Sequence, residues 1–162
     1  MVSGAVSQAG VPLEQQVWQT LETVMDPEIP ALSIVDHGIV RHVRVSEDGR
    51  THVGITPTYS GCPATELIET SIREALDGQG FTDVVLERVL WPAWTSEWLS
   101  ESGRRKLEAY GIAVEHTPNG RVACPRCGSR DVQRLSEFGS TPCKAHFRCS
   151  ACLEPFDTFK CI

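Results

Sequence analysis

A small α+β sandwich followed by a cysteine-built appendage is the fold this sequence predicts. Up to about residue 110, apolar residues recur at helical or strand spacing in the order helix, strand, strand, helix, strand, helix. That is the pattern of a mixed three- to four-stranded sheet packed against helices. Of seven cysteines, six (Cys124, Cys127, Cys143, Cys149, Cys152, Cys161) lie in the last 39 residues, and Cys62 stands alone before them. Charge divides the chain likewise. Residues 1–120 hold eight basic and seventeen acidic side chains, a balance of −9, and residues 121–162 hold seven and four, a balance of +3, which together give the net −6. Roughly 100 residues can bury a core of their own, whereas roughly 40 rarely can without a staple.

Residues 1–11 lack the basic start and apolar run of a secretory signal and read as a small-residue tail. No stretch approaches the roughly 18–20 apolar residues that cross a bilayer, so a cytoplasmic protein without a membrane partner is expected. Leu13, Val17, Leu21, Val24 and Met25 predict an amphipathic helix over residues 12–25, with Pro12 near its first turn and Asp26-Pro27-Glu28-Ile29-Pro30 ending it. Val35, Ile39, Val40, Val43 and Val45 around Gly38 predict a strand from Ile34 to Val45. The turn Glu47-Asp48-Gly49 then leads to a second strand, His52 to Thr56.

The strongest helical pattern follows over residues 64–77, with Ala64, Leu67, Ile68, Ser71, Ile72, Ala75 and Leu76 on one face and Gly78 or Gly80 as its stop. Val84 to Leu90 supplies a third strand, and Thr95 or Ser96 caps a helix to about Tyr110, closed by Gly111. The expected domain therefore spans residues 12–115, with residues 116–120 as linker and 121–162 as the appendage.

The appendage carries the clearest chemistry. Cys124-Pro-Arg-Cys127 and Cys149-Ser-Ala-Cys152 are two Cys-x-x-Cys pairs separated by 21 residues, the spacing of a tetrathiolate zinc ribbon. Four protein sulfurs leave no open coordination position, so the zinc is expected to be structural, with rubredoxin-type iron or a cluster as the alternative. Arg126, Arg130, Lys144 and Arg148 are placed to offset the −2 of four thiolates around a divalent ion. Cys143, His146 and Cys161 are additional ligand types.

Cys62 lies just before the 64–77 helix, where the partial positive charge of unpaired amides favours a thiolate. Thr56, Thr58, Tyr59 and Ser60 fill the preceding loop with hydroxyls, and Gly61 allows close approach of a ligand. The plain alternative is a small buried cap residue. Asp26, Glu28, Asp36 and His37 stand at the ends of neighbouring elements and could converge on Cys62, although acids beside prolines are ordinary turn residues. No Ser-His-Asp order, phosphate-binding glycine loop, paired Glu-x-x-His or dinucleotide fingerprint is present, so autonomous catalysis is not expected.

At DPEIPALSIVDHGIV (26–40) and TPTYSGCPATELIE (56–69) the sequence resembles the metal-sulfur cluster biosynthesis family, also called DUF59 or MIP-type. With WPAWTSEW (91–98) and the terminal CPRCGS and STPCKAHFRCSACLEPFDTFKC it resembles more closely the PaaD (PaaJ) family of phenylacetate degradation. That resemblance implies a DUF59-like domain and a zinc ribbon. It also implies a role in iron-sulfur or metal-centre assembly for the phenylacetyl-CoA ring-1,2-epoxidase, a multicomponent oxygenase. By it Cys62 takes the family's reactive-cysteine position, Asp26 and Glu28 its acidic motif and Asp36 its second acidic position, while His37 departs from the leucine common there.

The expected function is a non-catalytic accessory subunit or maturation factor, with Cys62, Asp26, Glu28, Asp36 and Thr58 handling a transient iron-sulfur cluster or iron. Its expected partners are the oxygenase components, especially the iron-sulfur reductase subunit, and a second copy of the chain, since a lone cysteine suits a cluster shared by two. A direct structural or electron-transfer subunit is the alternative. A nucleic-acid-binding ribbon ranks last, because a chain of net charge −6 repels phosphates.

Overall fold

A computed structural model describes residues 10–115 and 121–160, so the expected linker lies outside the described residues. The chain forms two compact units, residues 1–92 and 93–162. The division thus falls before Ala93, ahead of the linker the sequence suggests.

In the first unit, helix α1 (Leu13–Leu21) buries Val17 and Leu21 and begins after Pro12, whose missing N–H costs nothing there. It stops four residues short of the expected end, because Val24 and Met25 leave the helix and Met25 bridges to Ser33. The expected long strand also begins late: β1 is Val40–Val45. Residues 34–38 form a tight turn instead, in which Ser33 Oγ accepts from the Asp36 amide at 3.0 Å and Gly38 closes it at φ 75°. A strand cannot pass through a residue in the left-handed region, which glycine adopts at little cost.

Strand β1 pairs antiparallel with β2 (Thr51–Ile55), and β2 pairs parallel with β3 (Val84–Arg88) after the crossover helix α2 (Ala64–Asp77). Ala64, Ile68, Ile72 and Leu76 form the buried stripe of α2, at the i, i+4 spacing that stacks side chains on one face. Leu67, expected on that face, is exposed. Gly80, at φ 91°, ends α2, with the Phe81 amide reaching back to the Leu76 carbonyl at 2.9 Å. Val17, Leu21, Val43, Val53, Ile55, Ile68, Ile72 and Leu76 are joined in one core.

In the second unit, the expected helix from Thr95 to Tyr110 divides in two. Thr95 caps a single 3-10 turn at Ser96–Trp98, and Ser100 caps α3 (Glu101–Tyr110) by accepting from the Gly103 amide at 2.8 Å. Gly111, in the left-handed conformation, ends α3 as expected. A two-residue strand β4 (Ala113–Val114) joins β5 (Val132–Ser136), β6 (Lys144–Cys149) and β7 (Pro155–Phe159) in a sheet of order β4-β7-β6-β5. Trp94 is buried with its ring centroid 6.0 Å from that of Phe159. No helix among the described residues is long and apolar enough to cross a membrane.

Candidate functional site

Two sites emerge, one in each unit. In the first, Asp26, Glu28, Thr58 and Cys62 line one small pocket together with Ile39, Ile55, Thr56, Pro57, Ala64, Thr65 and Ile68. The pocket joins three pieces: the 26–32 loop, the end of β2 with its hydroxyl-bearing extension, and the start of α2. Gly61, at φ 77°, turns the chain into α2, and the Cys62 carbonyl accepts from the Thr65 amide at 3.2 Å. These backbone bonds hold Cys62 without calling on its sulfur. No side chain caps α2, so its positive end faces this region.

Asp26 is almost wholly buried. One carboxylate oxygen accepts from the amides of Glu28 (2.7 Å) and Ile29 (3.2 Å), and the other meets Nδ1 of the buried His37 at 2.8 Å. Burial alone would raise its pKa, but His37 and the two amides outweigh that and hold it below the ordinary carboxylate value. Asp36 is not among the pocket-lining residues. Its amide serves the Ser33 turn, which sets His37 under Asp26. His37 therefore acts on Asp26, and it does not line the pocket either.

The second site gathers the sulfurs of Cys124, Cys127, Cys149 and Cys152 within 4.8 Å of one another. Cys124 and Cys152 sulfurs are 3.7 Å apart and those of Cys127 and Cys149 3.6 Å. Zinc–sulfur bonds of about 2.3 Å in a tetrahedron require sulfur edges of about 3.8 Å, so the cluster fits such an ion. Amides shape the thiols as well. The Cys152 amide leads in drawing Cys149 down to about 6. Although the Glu154 amide favours a Cys152 thiolate, burial and the neighbouring sulfurs push that thiol up to about 12. Four sulfurs this close ionise together only around a cation.

The two knuckles repeat one backbone design. The Gly128 amide donates to the Cys124 carbonyl at 2.9 Å and the Leu153 amide to the Cys149 carbonyl at 3.1 Å. Both residues are left-handed, Gly128 at φ 75° and Leu153 at φ 66°. Leu153 is exposed, so its side chain recovers little for that strain, which is about 1 kcal/mol or more. Leu153→Gly is expected to stabilise the second unit by about 0.5–1 kcal/mol. Thermal melts of the metal-loaded protein check it, and a lowered melting temperature would show that Leu153 makes contacts worth more than the strain.

Of the additional ligand types, Cys143 lies with its sulfur 3.0 Å from the Thr141 hydroxyl, and His146 bonds Asp157 at 2.9 Å through Nδ1. Neither belongs to the sulfur cluster, and Cys161 lies outside the described residues. Arg126 does offset charge near the cluster, but it also forms a 2.6 Å ion pair with Glu154.

Residues 14–84 match the family described as iron-sulfur cluster assembly protein, and residues 112–160 match the PaaD zinc beta ribbon domain. Over 158 residues the chain is 48% identical to an Escherichia coli (strain K12) protein whose name makes it one subunit of a "Putative 1,2-phenylacetyl-CoA epoxidase", covering 93% of this chain and 94% of that one. The chain belongs to the PaaD family. A second relative matches part of this PaaD-family chain. It is the Fe-S protein maturation auxiliary factor YitW of Bacillus subtilis (strain 168), 36% identical over 96 residues, which are 59% of this chain and 93% of that one. A crystal structure of a DUF59 domain from Bacillus anthracis superposes with a TM-score of 0.55 at 27% identity, over 58% of this chain and 90% of that one. The PaaD family thus joins a DUF59-like fold to a zinc-ribbon domain.

Proposed function

We propose that this PaaD-family chain is a non-catalytic accessory component of a phenylacetyl-CoA ring-1,2-epoxidase system, assisting assembly of an iron-sulfur or other metal centre in that oxygenase. The observation that carries the reading is the meeting of Cys62, Glu28, Asp26 and Thr58 at one pocket. That pocket lies in the unit whose relatives include a protein named for Fe-S protein maturation. A soft sulfur beside carboxylate and hydroxyl oxygens suits transient capture of iron or a cluster, which is cargo here and not a resident group.

Within the pocket, Cys62 offers one sulfur ligand from a backbone-fixed position. Ile39, Ile55 and Ile68 limit water on one side while Thr58 and Glu28 supply oxygen ligands. One sulfur leaves most positions of a cluster open, so the remaining ligands come from a client protein or a second copy of the chain. The reductase component, as the iron-sulfur member of the oxygenase, is the natural recipient. In the other unit, Cys124, Cys127, Cys149 and Cys152 hold zinc as a closed structural site that supplies folding energy and no reaction.

Producing the oxygenase components with and without this chain tests the role. Iron and acid-labile sulfide per reductase component are expected to fall several-fold without it, while the isolated chain turns over no phenylacetyl-CoA. A full metal complement in oxygenase made without it would refute the assignment.

A further inference from the structure

We infer that Asp26 is a positioning residue of the pocket and not one of its ligands: clamped by His37, its carboxylate locks the 26–32 loop so that Glu28 is presented to the space that Cys62 lines. The inference deepens the assembly reading above and rests on it.

The carboxylate of Asp26 is already engaged by the fold. Its two oxygens take three contacts, from the Glu28 amide (2.7 Å), the Ile29 amide (3.2 Å) and His37 Nδ1 (2.8 Å). A carboxylate offers about four lone-pair sites, so little remains for cargo. Burial points the same way. Asp26 is 4% exposed and His37 2%, while Glu28, on the same loop, is half-buried.

The loop is closed at its base, with the Asp26 amide on the Leu32 carbonyl (2.8 Å) and the Ile34 amide on the Val24 carbonyl (2.9 Å). His37 stands on a separate rigid piece, the Ser33–Gly38 turn, where its own amide donates to the Ser33 carbonyl at 2.9 Å. The His37–Asp26 bond joins the two pieces across eleven positions of sequence. A charge-assisted hydrogen bond sheltered from water is among the stronger single contacts a fold can use. Through it the turn fixes the loop, and the loop fixes the backbone of Glu28, which lines the pocket.

Four variants of the full chain separate positioning from ligation: His37→Leu, His37→Asn, Asp26→Asn and Cys62→Ser. The Asn amide nitrogen can occupy the place of His37 Nδ1, and Asn at position 26 keeps an oxygen for the two loop amides while losing the anionic ligand. Amide hydrogen exchange at Glu28 and Ile29 reads the clamp directly, and complementation of growth on phenylacetate reads the pocket. His37→Leu is expected to speed exchange at both amides by about 10-fold or more and to slow growth. His37→Asn is expected to keep both near wild type, and Asp26→Asn, which loses the charge that grips His37, is expected to lose growth only as far as its amide exchange rises.

Asp26→Asn as defective in growth as Cys62→Ser, with its amides still protected, would make Asp26 a ligand and overturn the inference. His37→Leu with unchanged exchange would remove the clamp and overturn it equally. Full growth with Cys62→Ser would refute the assembly reading instead, and amide exchange would still decide the clamp by itself.

Discussion

Chelation of the metal held by Cys124, Cys127, Cys149 and Cys152 is expected to unfold the whole second unit, from Ala93 onward, and to leave the first unit folded. Structural zinc contributes on the order of 10–16 kcal/mol to small domains near neutral pH, as much as or more than the net stability of an ordinary domain. The connection from metal to Trp94 is continuous. Cys149 ends β6, β6 pairs with β7, and Phe159 at the end of β7 packs on the Trp94 ring. Loss of the knuckles therefore removes the support of a tryptophan thirty positions before the first ligand. Limited proteolysis after chelation should yield a stable fragment ending near Pro92, and the NMR indole signal of Trp94 should collapse to its unfolded position. A chelated chain that resists cleavage beyond residue 121 and keeps that signal would show that the apolar core suffices alone.

Cys62→Ser is expected to abolish growth on phenylacetate while changing stability by less than about 1 kcal/mol. The fold uses the backbone of this residue, its amide donating to the Tyr59 carbonyl at 3.3 Å and its carbonyl accepting from Thr65, and a serine retains both. What it loses is the soft sulfur, at a pocket it shares with Glu28 and Thr58. If Cys62 only fills space, Cys62→Ala should be as silent as Cys62→Ser in a growth assay. Wild-type growth with both variants would leave this residue a packing group.

The parts legible in the sequence are those fixed by local spacing. The knuckles are set within four residues each, and the buried stripe Ala64, Ile68, Ile72, Leu76 repeats with the helical turn. Errors arose where an apolar run has two uses. Ile34 and Val35 read as strand, yet Ser33, Asp36 and Gly38 make a capped turn, and that Ser-x-x-Asp signal was available in the sequence. Leu67 fits the apolar face by spacing but lies outside the stripe that α1 and the sheet cover. Asp26 and His37 are legible as groups that could converge, but their direct hydrogen bond is not. Either residue alone is an ordinary turn group, and only the meeting of two loops makes them partners. Strand β4 was equally hidden, because two residues have no periodicity and exist as a strand only through pairing with β7.

That short strand decides how portable the ribbon is. Ala113 and Val114 lie parallel to Thr158 and Phe159, covering the outer edge of β7 with chain that precedes the first knuckle. A ribbon cut out from residue 121 would carry its four sulfurs intact but would bare a row of backbone donors and acceptors beside a fully buried phenylalanine. Bare edges of that kind recruit strands from other molecules. The ribbon is therefore not a cassette that could be moved between proteins at its cysteine boundary, and any fusion or graft must carry the sequence from Ala113 with it.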